Sequence, residues 1–502
     1  MPNIFNGDTV QPSLAMNLIK IASLPDTSLP RVTGTPNDIQ TRVSHLVARA
    51  RVAQAVAEAY DQTQVDELVS AAAWAILEPA RNRALAELAV LDTGMGNVED
   101  KLRKNHRKTL GLLRDLQGVR SVGVISQDER LGIIEIARAV GVVCAVTPST
   151  NPGATPANKI INALKGRNAV IVAPSPKGWA TAQRLVSFIH AQFDRIGAPH
   201  DLVQVLPAPV TKEATLALMR QCDLVVATGS QANVKAAYAS GTPAFGVGAG
   251  NVAVVVDETA NLTESADHIL RSKTFDNATS CSSENSLVIV DAVRESLLAA
   301  LVEHGAVLLD SAQKARLQVW MWPQGKLSAA VPGQSALDIA RQAGLHEIAA
   351  QTPTLLLVEE DGFGEAHPFS GEKLSPVLAL YRARNVLDAV DVVRRIYDYQ
   401  GAGHSVGLHS ARPEVALQLG LTLPVSRVIV NQAHCMATGG SFDNGLPFSL
   451  SMGCGTWGKN NFSDNMNYRH FLNITRISRP IALSEPTPDD LLGGFFQKFG
   501  KA

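Results

Sequence analysis

Hydrophobic and polar residues follow two different periods in the N-terminal part of the chain. From residue 38 to about residue 117 the apolar residues recur at i, i+3, i+4 and i+7, which predicts a set of amphipathic helices. Residues 121–138 alternate with a period of two, which predicts a β-hairpin that turns near residues 128–130. Residues 1–37 are rich in Pro, Asn, Ser and Thr, and we expect an N-terminal arm or a loosely held tail there.

Four units of buried strand, loop and helix follow the predicted hairpin. Their strands are the apolar segments GVVCAVTP, NAVIVAP, DLVQVLP and DLVVATG. Because such units pair in parallel through right-handed crossovers, they predict a parallel sheet that is covered by helices on both faces. Ligands of these sheets bind beyond the carboxyl ends of the strands, so the loops after the strands are the first candidates for a site.

A second α/β region comes next, with the apolar strands VAVVVD, SLVIVD and TPTLLLVEE. SRVIVNQ returns as a strand from about residue 425, and a Gly-rich stretch and a polar tail end the chain. A chain of 502 residues is too long for one ordinary core. We therefore predict an α/β protein with two or three subdomains.

Composition and charge restrict the binding partners and the cellular compartment that we expect. The formal net charge of −1 gives no global attraction for nucleic acid or for an anionic membrane, so we expect neither as a partner. The five cysteines include no CxxC pair, which argues against a disulfide scaffold and against a metal site. No secretory signal and no membrane-spanning run is recognisable, which favours the cytoplasm.

Two short segments are candidates for binding a cofactor phosphate. GVGAG (246–250) differs from the dinucleotide fingerprint in its spacing, and it leads into a strand rather than a helix. Thr228, Gly229 and Ser230 end a strand and begin a helix, so Ser230 can cap the helix while the first helical amides face an anion. An ordinary Ser N-cap explains the second segment equally well.

Three polar residues on loops are candidates for chemistry. Cys281 lies in the polar segment NATSCSSENS, where a thiol can serve as a nucleophile, although a surface cysteine without a role is the alternative. Asn151 follows the end of a strand, and its amide can donate to a developing oxyanion or simply form a turn. Glu372 lies among turn formers, and its own surroundings indicate no more than a solvated carboxylate.

Together and in this order, these segments resemble the CoA-acylating branch of the aldehyde dehydrogenase superfamily. They are also similar to the aldehyde dehydrogenase half of bifunctional aldehyde-alcohol dehydrogenases. The resemblance spans about residues 138–472 and rests on TPSTNP, LKGRNAVIVAPSP, VVATGSQANVKAAYASGTPAFGVGAGN, SKTFDNATSCSSENSLVIVD, EKLSPVLALYRA and SMGCGTWGKN. The combination of motifs is specific, although each motif alone is not.

The resemblance implies an aldehyde dehydrogenase fold. A Rossmann-like dinucleotide-binding domain would span residues 38–250, and its 121–138 hairpin would belong to an oligomerisation arm. A catalytic α/β domain would span residues 251–428. Residues 429–502 would return to the cofactor domain and form an oligomerisation tail, in a homodimer or homotetramer.

The resemblance also implies a role for each candidate. Cys281 would attack the aldehyde, and Asn151 with the Cys281 backbone N–H would form the oxyanion hole. The thiohemiacetal would pass hydride to NAD(P), leaving an acyl-cysteine thioester. The residues that would bind the cofactor are Pro174, Ser175, Lys177, Thr228, Gly229, Ser230, Gly248 and Glu372.

Two features of the sequence bear on the acyl acceptor and on the choice of cofactor: a missing glutamate and the polar residues after one strand. Hydrolytic relatives carry a Glu in an E-x-G-G segment, whereas the matching stretch here is GVGAGN, without a carboxylate to activate water. We therefore expect transfer to coenzyme A rather than hydrolysis. Ser175 and Lys177 can serve a 2′-phosphate, which slightly favours NADP. The retained Cys281, Asn151 and Glu372 argue against a non-catalytic member of the fold.

The C-terminal part departs from relatives that act on acetaldehyde. We expect a pocket for a small anionic aldehyde, because cations and polar groups are enriched there, at His434, Thr438, Asn444, Arg469 and His470. The alternative is that these residues pack loops or contact another subunit. The stretch is similar to that of acylating sulfoacetaldehyde dehydrogenases, which implies oxidation of sulfoacetaldehyde to sulfoacetyl-CoA. Acetaldehyde and succinate semialdehyde remain open as substrates.

Two further points concern residues near these segments. His404 matches a position where the family often has a histidine near the active site, and a structural role is at least as well supported. Cys435 and Cys454 lie in the same C-terminal region, but we expect no disulfide between them.

Overall fold

A computed structural model describes residues 39–248 and 250–501 of the chain. The predicted N-terminal arm at residues 1–37 lies outside the described residues. The helices are α1 (Ile39–Glu58), α2 (Gln62–Leu77), α3 (Pro79–Thr93), α4 (Val98–Leu116), α5 (Ala154–Lys165), α6 (Trp179–Ile196), α7 (Lys212–Gln221), α8 (Gln231–Tyr238), α9 (Leu262–Thr274), α10 (Arg294–Glu303), α11 (Ser311–Met321), α12 (Ala336–Gln342), α13 (His346–Ala349), α14 (Val386–Tyr399), α15 (Pro413–Thr422), α16 (His434–Ala437) and α17 (Pro488–Phe499).

The strands form three sheets, two of them parallel and one antiparallel. They are β1 (Gly123–Asp128), β2 (Ile133–Ala139), β3 (Val142–Thr147), β4 (Ala169–Pro174), β5 (Val203–Val205), β6 (Leu224–Thr228), β7 (Ala244–Val247), β8 (Val252–Val256), β9 (Glu284–Val290), β10 (Ala306–Leu308), β11 (Leu355–Glu359), β12 (Val377–Ala383), β13 (Val406–His409), β14 (Val428–Val430) and β15 (Leu472–Ser478).

The first parallel sheet contains the four predicted strand-helix units. Its strand order is β5-β4-β3-β6-β7, and every adjacent pair is parallel. All residues of β3 and β4 are buried, which is why both strands are continuous apolar runs. From β3 the chain continues outward to β4 and β5, and it then crosses back to place β6 and β7 on the other side of β3. The strand order therefore reverses at β3. That reversal opens a crevice at the carboxyl ends of β3 and β6.

The second parallel sheet has the order β10-β11-β12-β9-β8-β13-β14. Its core follows the two-residue period of the strands, as β8 illustrates. Ala253 and Val255 pack into the apolar cluster on one face, while Val254 and Val256 pack into the cluster on the other. The four strands that the sequence indicated in this region are all present, and the α/β fold class is confirmed.

The predicted hairpin of residues 121–138 forms as β1 and β2, which pair antiparallel. The turn is stabilised by the Leu131 backbone N–H, which donates to Asp128 Oδ1 (2.9 Å). The C-terminal strand β15 adds to the other edge of β2, from Leu472 to Ser478. The role of this three-stranded sheet in oligomerisation stays a prediction, as do the domain boundaries.

Within the described residues, no helix is long and apolar enough to cross a membrane.

Candidate active site

Cys281 lies on a loop between a short 3₁₀ turn (Phe275–Ala278) and β9, where its side chain is partly exposed. Its Sγ atom is 3.6 Å from Nε2 of His404, a fully buried residue just before β13. The other ring nitrogen, Nδ1, is 2.7 Å from the Ser405 hydroxyl. The structure thus brings the predicted nucleophile to a histidine whose role the sequence left open.

Burial decides the charge of this pair. It raises the pKa of the Cys281 thiol to about 12, with a further contribution from the Glu372 carboxylate. Burial lowers the pKa of His404 to about 3, assisted by the nearby Arg427 cation. Before substrate binds, the site therefore holds a neutral thiol against a neutral imidazole.

Asn151 follows β3 and precedes α5, at the crevice where the strand order reverses. Its Oδ1 accepts a hydrogen bond from Lys104 Nζ (2.7 Å), whereas its Nδ2 makes only a long contact with the Thr150 hydroxyl (3.4 Å). Asn151 and Ser280, the residue before Cys281, line the same cavity. The amide N–H of Asn151 is therefore available beside the Cys281 loop.

That cavity has a volume of about 590 Å³ and is lined by several basic side chains. We call it the cationic cavity. One acidic residue, Asp100, is among its lining residues, whereas five of the lining residues are Arg or Lys: Arg103, Lys104, Arg107, Lys108 and Arg271. A small anion would be stabilised in such a cavity.

Two of these cations donate mainly to neutral groups. Arg107 donates to the Met436 carbonyl (3.0 Å) and to the Ser441 hydroxyl. Lys108 donates to the Gly439 carbonyl (2.7 Å), and burial lowers its pKa to about 7. Because carbonyl and hydroxyl partners do not neutralise a charge, the positive charge of Arg107 remains available to a ligand, whereas Lys108, with a pKa of about 7, is only partly charged at neutral pH.

The sequence analysis missed this cationic wall. Most of it comes from α4, which precedes Cys281 by more than 150 residues in the chain. A signal was present in VEDKLRKNHRKTL, where Lys101, Lys104 and Lys108 recur at i, i+3 and i+7 on one helical face. All three are buried, and lysine is seldom fully buried without a specific partner.

On another side of the site lies a second cavity of about 910 Å³, which we call the α8 cleft. Gln231 and Lys235 of α8 line it together with Gly248, Gln400 and Trp457. The predicted cofactor residue Gly248 therefore faces a cavity large enough for part of a dinucleotide.

Glu372 is close to this cleft and to the Cys281 loop. Its Oε1 accepts from the Gly250 backbone N–H (3.2 Å), and its own backbone N–H donates to Gln400 Oε1 (3.1 Å). Burial raises the pKa of Glu372 to about 8, partly offset by the Gly250 N–H and by Lys273. The carboxylate is thus half-buried between the α8 cleft and the nucleophile rather than solvated.

The remaining predicted cofactor residues lie at the carboxyl edge of the first parallel sheet. Ser230 caps α8 by accepting from the Asn233 backbone N–H (3.3 Å), as predicted, and Thr228 Oγ1 is 2.7 Å from the Ser451 hydroxyl. Gly229, between them, has φ +149°, a conformation that favours glycine.

Pro174 ends β4, the strand beside β3 in the same sheet. Ser175 and the exposed Lys177 follow it, and the Ser175 backbone N–H donates to the Thr147 carbonyl (3.0 Å) at the end of β3. The two groups of residues therefore lie on either side of β3, at the crevice.

The residues of the predicted substrate pocket lie apart from the cationic cavity, and their role in binding the substrate stays a prediction. His434 is buried behind the Cys281 loop, where its Nδ1 is 2.9 Å from the Ser282 carbonyl oxygen and 3.1 Å from the hydroxyl of Thr438. Asn444 donates to Gln432 Oε1 (2.9 Å) and holds a loop together. Neither His434, Thr438 nor Asn444 lines the cationic cavity within the described residues; Cys435 and Met436 of the same segment do.

Arg469 and His470 are also outside the cationic cavity. The tail that carries them turns away to pair β15 with β2, so both residues end up beside the first sheet. Arg469 is exposed over the Tyr468 ring, and His470 packs edge-on against Phe245 and Phe462. Their chemistry suits an anion, but their position does not.

The cysteines are free, as expected, including Cys435 and Cys454. Cys435 Sγ donates to the Ser272 carbonyl (3.1 Å). Among the described residues, one cluster has donor atoms close enough to hold a metal ion: Glu360, Asp361 and His367. Its buried carboxylate is already paired with Lys314 (3.1 Å), and it lies outside both cavities of the site.

A thiol on a loop, a side-chain amide beside that loop and a nucleotide-sized cleft are features that suit an oxidoreductase with a cysteine nucleophile. The chain belongs to the aldehyde dehydrogenase family, whose model matches residues 30–443. The resemblance inferred from the sequence motifs is thereby confirmed.

Known proteins similar to this chain narrow the comparison. An acylating sulfoacetaldehyde dehydrogenase of Cupriavidus necator is 66% identical over 91% of this chain and 93% of its own length. The crystal structure of an acetylating aldehyde dehydrogenase from Geobacillus thermoglucosidasius superposes with a TM-score of 0.85 at 35% identity, over 89% of this chain and 98% of that chain.

A propionaldehyde dehydrogenase from Rhodopseudomonas palustris, solved with bound CoA and an acylated cysteine, has a TM-score of 0.79 and 26% identity, over 87% of this chain and 97% of that chain.

Proposed function

We propose that this protein is a CoA-acylating aldehyde dehydrogenase that oxidises sulfoacetaldehyde to sulfoacetyl-CoA with NAD(P)⁺. The observation that carries the proposal is the cationic cavity beside Asn151 and the Cys281 loop. The sulfonate of sulfoacetaldehyde bears a permanent negative charge, and its sulfur is two bonds from the aldehyde carbon, so a cavity rich in basic residues beside the Cys281 loop suits this substrate. The 66% identical relative is named for the same aldehyde.

In the first half-reaction, Cys281 Sγ attacks the aldehyde carbon and its proton passes to His404 Nε2, 3.6 Å away. The carbonyl oxygen becomes an oxyanion, which the Asn151 amide and the Cys281 backbone N–H stabilise. NAD(P)⁺, when bound, accepts the hydride that leaves the carbon. Cys281 then carries the acyl group as a thioester.

We propose that the cofactor binds at the α8 cleft and along the adjoining carboxyl edge of the first parallel sheet. Ser230 caps α8, whose residues Gln231 and Lys235 line the cleft, and Gly229 leaves the backbone before the cap without a side chain. The half-buried carboxylate of Glu372 suits a ribose hydroxyl near the nucleophile. Ser175 and Lys177 at the end of β4 are suited to a 2′-phosphate, and we propose NADP⁺ as the preferred form.

In the second half-reaction, the thiolate of CoA attacks the thioester carbon, the bond from that carbon to Cys281 Sγ breaks with its electron pair going to sulfur, and Cys281 takes back the proton held by His404. Hydrolysis would need a base where GVGAGN matches the E-x-G-G segment of hydrolytic relatives, and the glycines at residues 246 and 250 of this stretch are closely packed. A Cβ atom at Gly246 would lie 2.6 Å from the Val234 side chain, and one at Gly250 would lie 2.1 Å from Cys281 O. A thiol acceptor needs less activation than water.

Kinetics with a matched pair of substrates test the proposal. Formation of NADPH in the presence of CoA should have a higher kcat/KM with sulfoacetaldehyde than with acetaldehyde, and sulfoacetyl-CoA should accumulate in equal amount. A higher kcat/KM with acetaldehyde would refute the sulfonate substrate while leaving the acylating chemistry intact.

We further propose that the protein is cytoplasmic and forms a homodimer or homotetramer. Sedimentation analysis of the purified protein would test the oligomeric state.

A further inference from the structure

Two lysines of α4, Lys101 and Lys104, meet one buried carboxylate beside the active site. Asp276 is fully buried, and its Oδ2 atom is 3.1 Å from Lys101 Nζ and 2.5 Å from Lys104 Nζ. The Thr279 hydroxyl donates to the same oxygen (2.7 Å), and the Asn97 backbone N–H donates to Oδ1 (3.0 Å). Burial alone would raise the pKa of Asp276, but the two lysines outweigh burial and lower it.

This carboxylate anchors a strained segment just before the nucleophile. Asp276, Asn277 and Ala278 have φ values of 50°, 52° and 58°, so three consecutive non-glycine residues adopt the left-handed region. This conformation is strained for residues that carry a side chain, and it persists only where the surroundings hold it. The ion pairs and hydrogen bonds of Asp276 hold the segment in this conformation. Cys281 follows Ala278 by three residues.

The same two lysines also hold the loop on the opposite side of the reacting centre. Lys104 Nζ donates to Asn151 Oδ1 (2.7 Å), and Lys101 Nζ donates to the Thr150 carbonyl (3.3 Å). Because the oxygen of the Asn151 side chain is taken by an ammonium, the amide cannot turn over. Its Nδ2 must face away from Lys104, and the adjacent cation makes its N–H a stronger donor.

We infer that Lys104 is a positioning residue: it locks the Asn151 amide in its donating orientation and ties it to the segment that carries Cys281. The inference rests on the proposed role of Asn151 as the oxyanion donor. Lys104 would then act on the transition state through Asn151, and its loss would lower kcat rather than weaken binding of the substrate.

A direct contact with the substrate sulfonate is the competing role, because Lys104 also lines the cationic cavity. An ammonium has three N–H donors. Those of Lys104 are directed to Asn151, to Asp276 and to the Thr279 hydroxyl at 3.2 Å. With all three engaged by the protein, the side chain has none left to donate to a sulfonate, which favours the positioning role.

A double-mutant cycle between Lys104→Met and Asn151→Ala separates the two roles. Lys104→Met alone should lower kcat about 10- to 100-fold, a part of what one oxyanion donor contributes, with acetaldehyde and sulfoacetaldehyde affected equally and KM changed little. In the Asn151→Ala background the same substitution should lower kcat by less than about threefold, since its target is gone.

Lys101→Met is the matched comparison. Lys101 lies on the same helix, is equally buried and shares Asp276, but it bonds the Thr150 backbone rather than the Asn151 side chain. Its effect on kcat should multiply with that of Asn151→Ala. A loss in Lys104→Met that also multiplies fully, or that appears only as a higher KM for sulfoacetaldehyde, would overturn the inference.

Two further readouts keep the test decisive. Lys104→Met leaves the buried Asp276 carboxylate with one partner fewer. If that variant misfolds, Lys104→Met/Asp276→Asn takes its place, because it removes both members of the pair. The double variant should show the same non-additivity with Asn151→Ala. If Asn151→Ala itself keeps a near-normal kcat, the oxyanion assignment fails; that result is distinguishable from additive losses, which refute only the role of Lys104.

Discussion

Replacing Arg107 by Met should lower turnover of an anionic aldehyde and spare a neutral one. Arg107 extends from α4 to the wall of the cationic cavity, where it donates to the Met436 carbonyl and the Ser441 hydroxyl. A guanidinium carries five N–H donors, so others remain for a ligand. Of the cavity cations, it is the one that combines partial burial with neutral partners and free donors.

The expected magnitude follows from losing one charge-assisted hydrogen bond. Such a bond contributes about 1.5–3 kcal/mol. Since about 1.4 kcal/mol corresponds to a factor of ten, kcat/KM for sulfoacetaldehyde should fall about 10- to 150-fold. The value for acetaldehyde should stay within about threefold, because a neutral aldehyde makes no such bond.

The assay is initial-rate NADPH formation with saturating CoA, for each aldehyde and each variant. Arg103→Met is the control, since the Arg103 side chain is 75% exposed and lies 3.6 Å from Asp100. An exposed cation with an acidic neighbour contributes little, so this variant should lose at most about threefold with either substrate. An equal fall for both aldehydes in Arg107→Met would mean that Arg107 supports the loop at residues 436–441 and does not select the anion.

Three other substitutions or conditions test separate parts of the site. Asn151→Ala should lower kcat by roughly 10²–10³, the scale of one oxyanion donor, and a near-normal rate would refute the assignment. Gly250→Ala should abolish turnover, because its Cβ would lie 2.1 Å from Cys281 O and displace the nucleophile; full activity would contradict the packing described. In the cofactor-free protein the pKa of Cys281 lies near 12, so alkylation by iodoacetamide should speed up about tenfold per pH unit from about pH 7 to pH 10. A plateau below about pH 9 would show instead that the thiolate is already stabilised.

The fold was largely predictable because each sheet is built from local patterns. Continuous apolar runs such as that of β3 indicated buried parallel strands, and the alternation at residues 121–138 indicated the hairpin. The pairing of β15 with β2 was not visible, since it joins segments more than 300 residues apart in the chain. Nothing in the local sequence of β15 specifies its partner.

The candidate catalytic residues could be named from motifs, but the electrostatics of their surroundings could not. Cys281 and Asn151 stand in recognisable segments, yet the neutral thiol-imidazole pair with His404 depends on burial that only the folded chain creates. The residues expected to line an anion pocket do not line the cationic cavity. Arg469 lies outside the cationic cavity, next to the start of β15, and is exposed over the Tyr468 ring. Arg107 lines the cavity from α4, which the sequence pattern predicted only as an amphipathic helix.

The central claim is that Cys281 passes an acyl group to coenzyme A and not to water. It is tested most directly by NAD(P)H formation from sulfoacetaldehyde with and without CoA, using each nicotinamide cofactor in turn. We predict steady turnover only when CoA is present, with one sulfoacetyl-CoA formed per NAD(P)H, and at most one equivalent of NAD(P)H per active site without it. Steady turnover without CoA would contradict the account, because water would then release the acyl group despite the crowded glycines at residues 246 and 250.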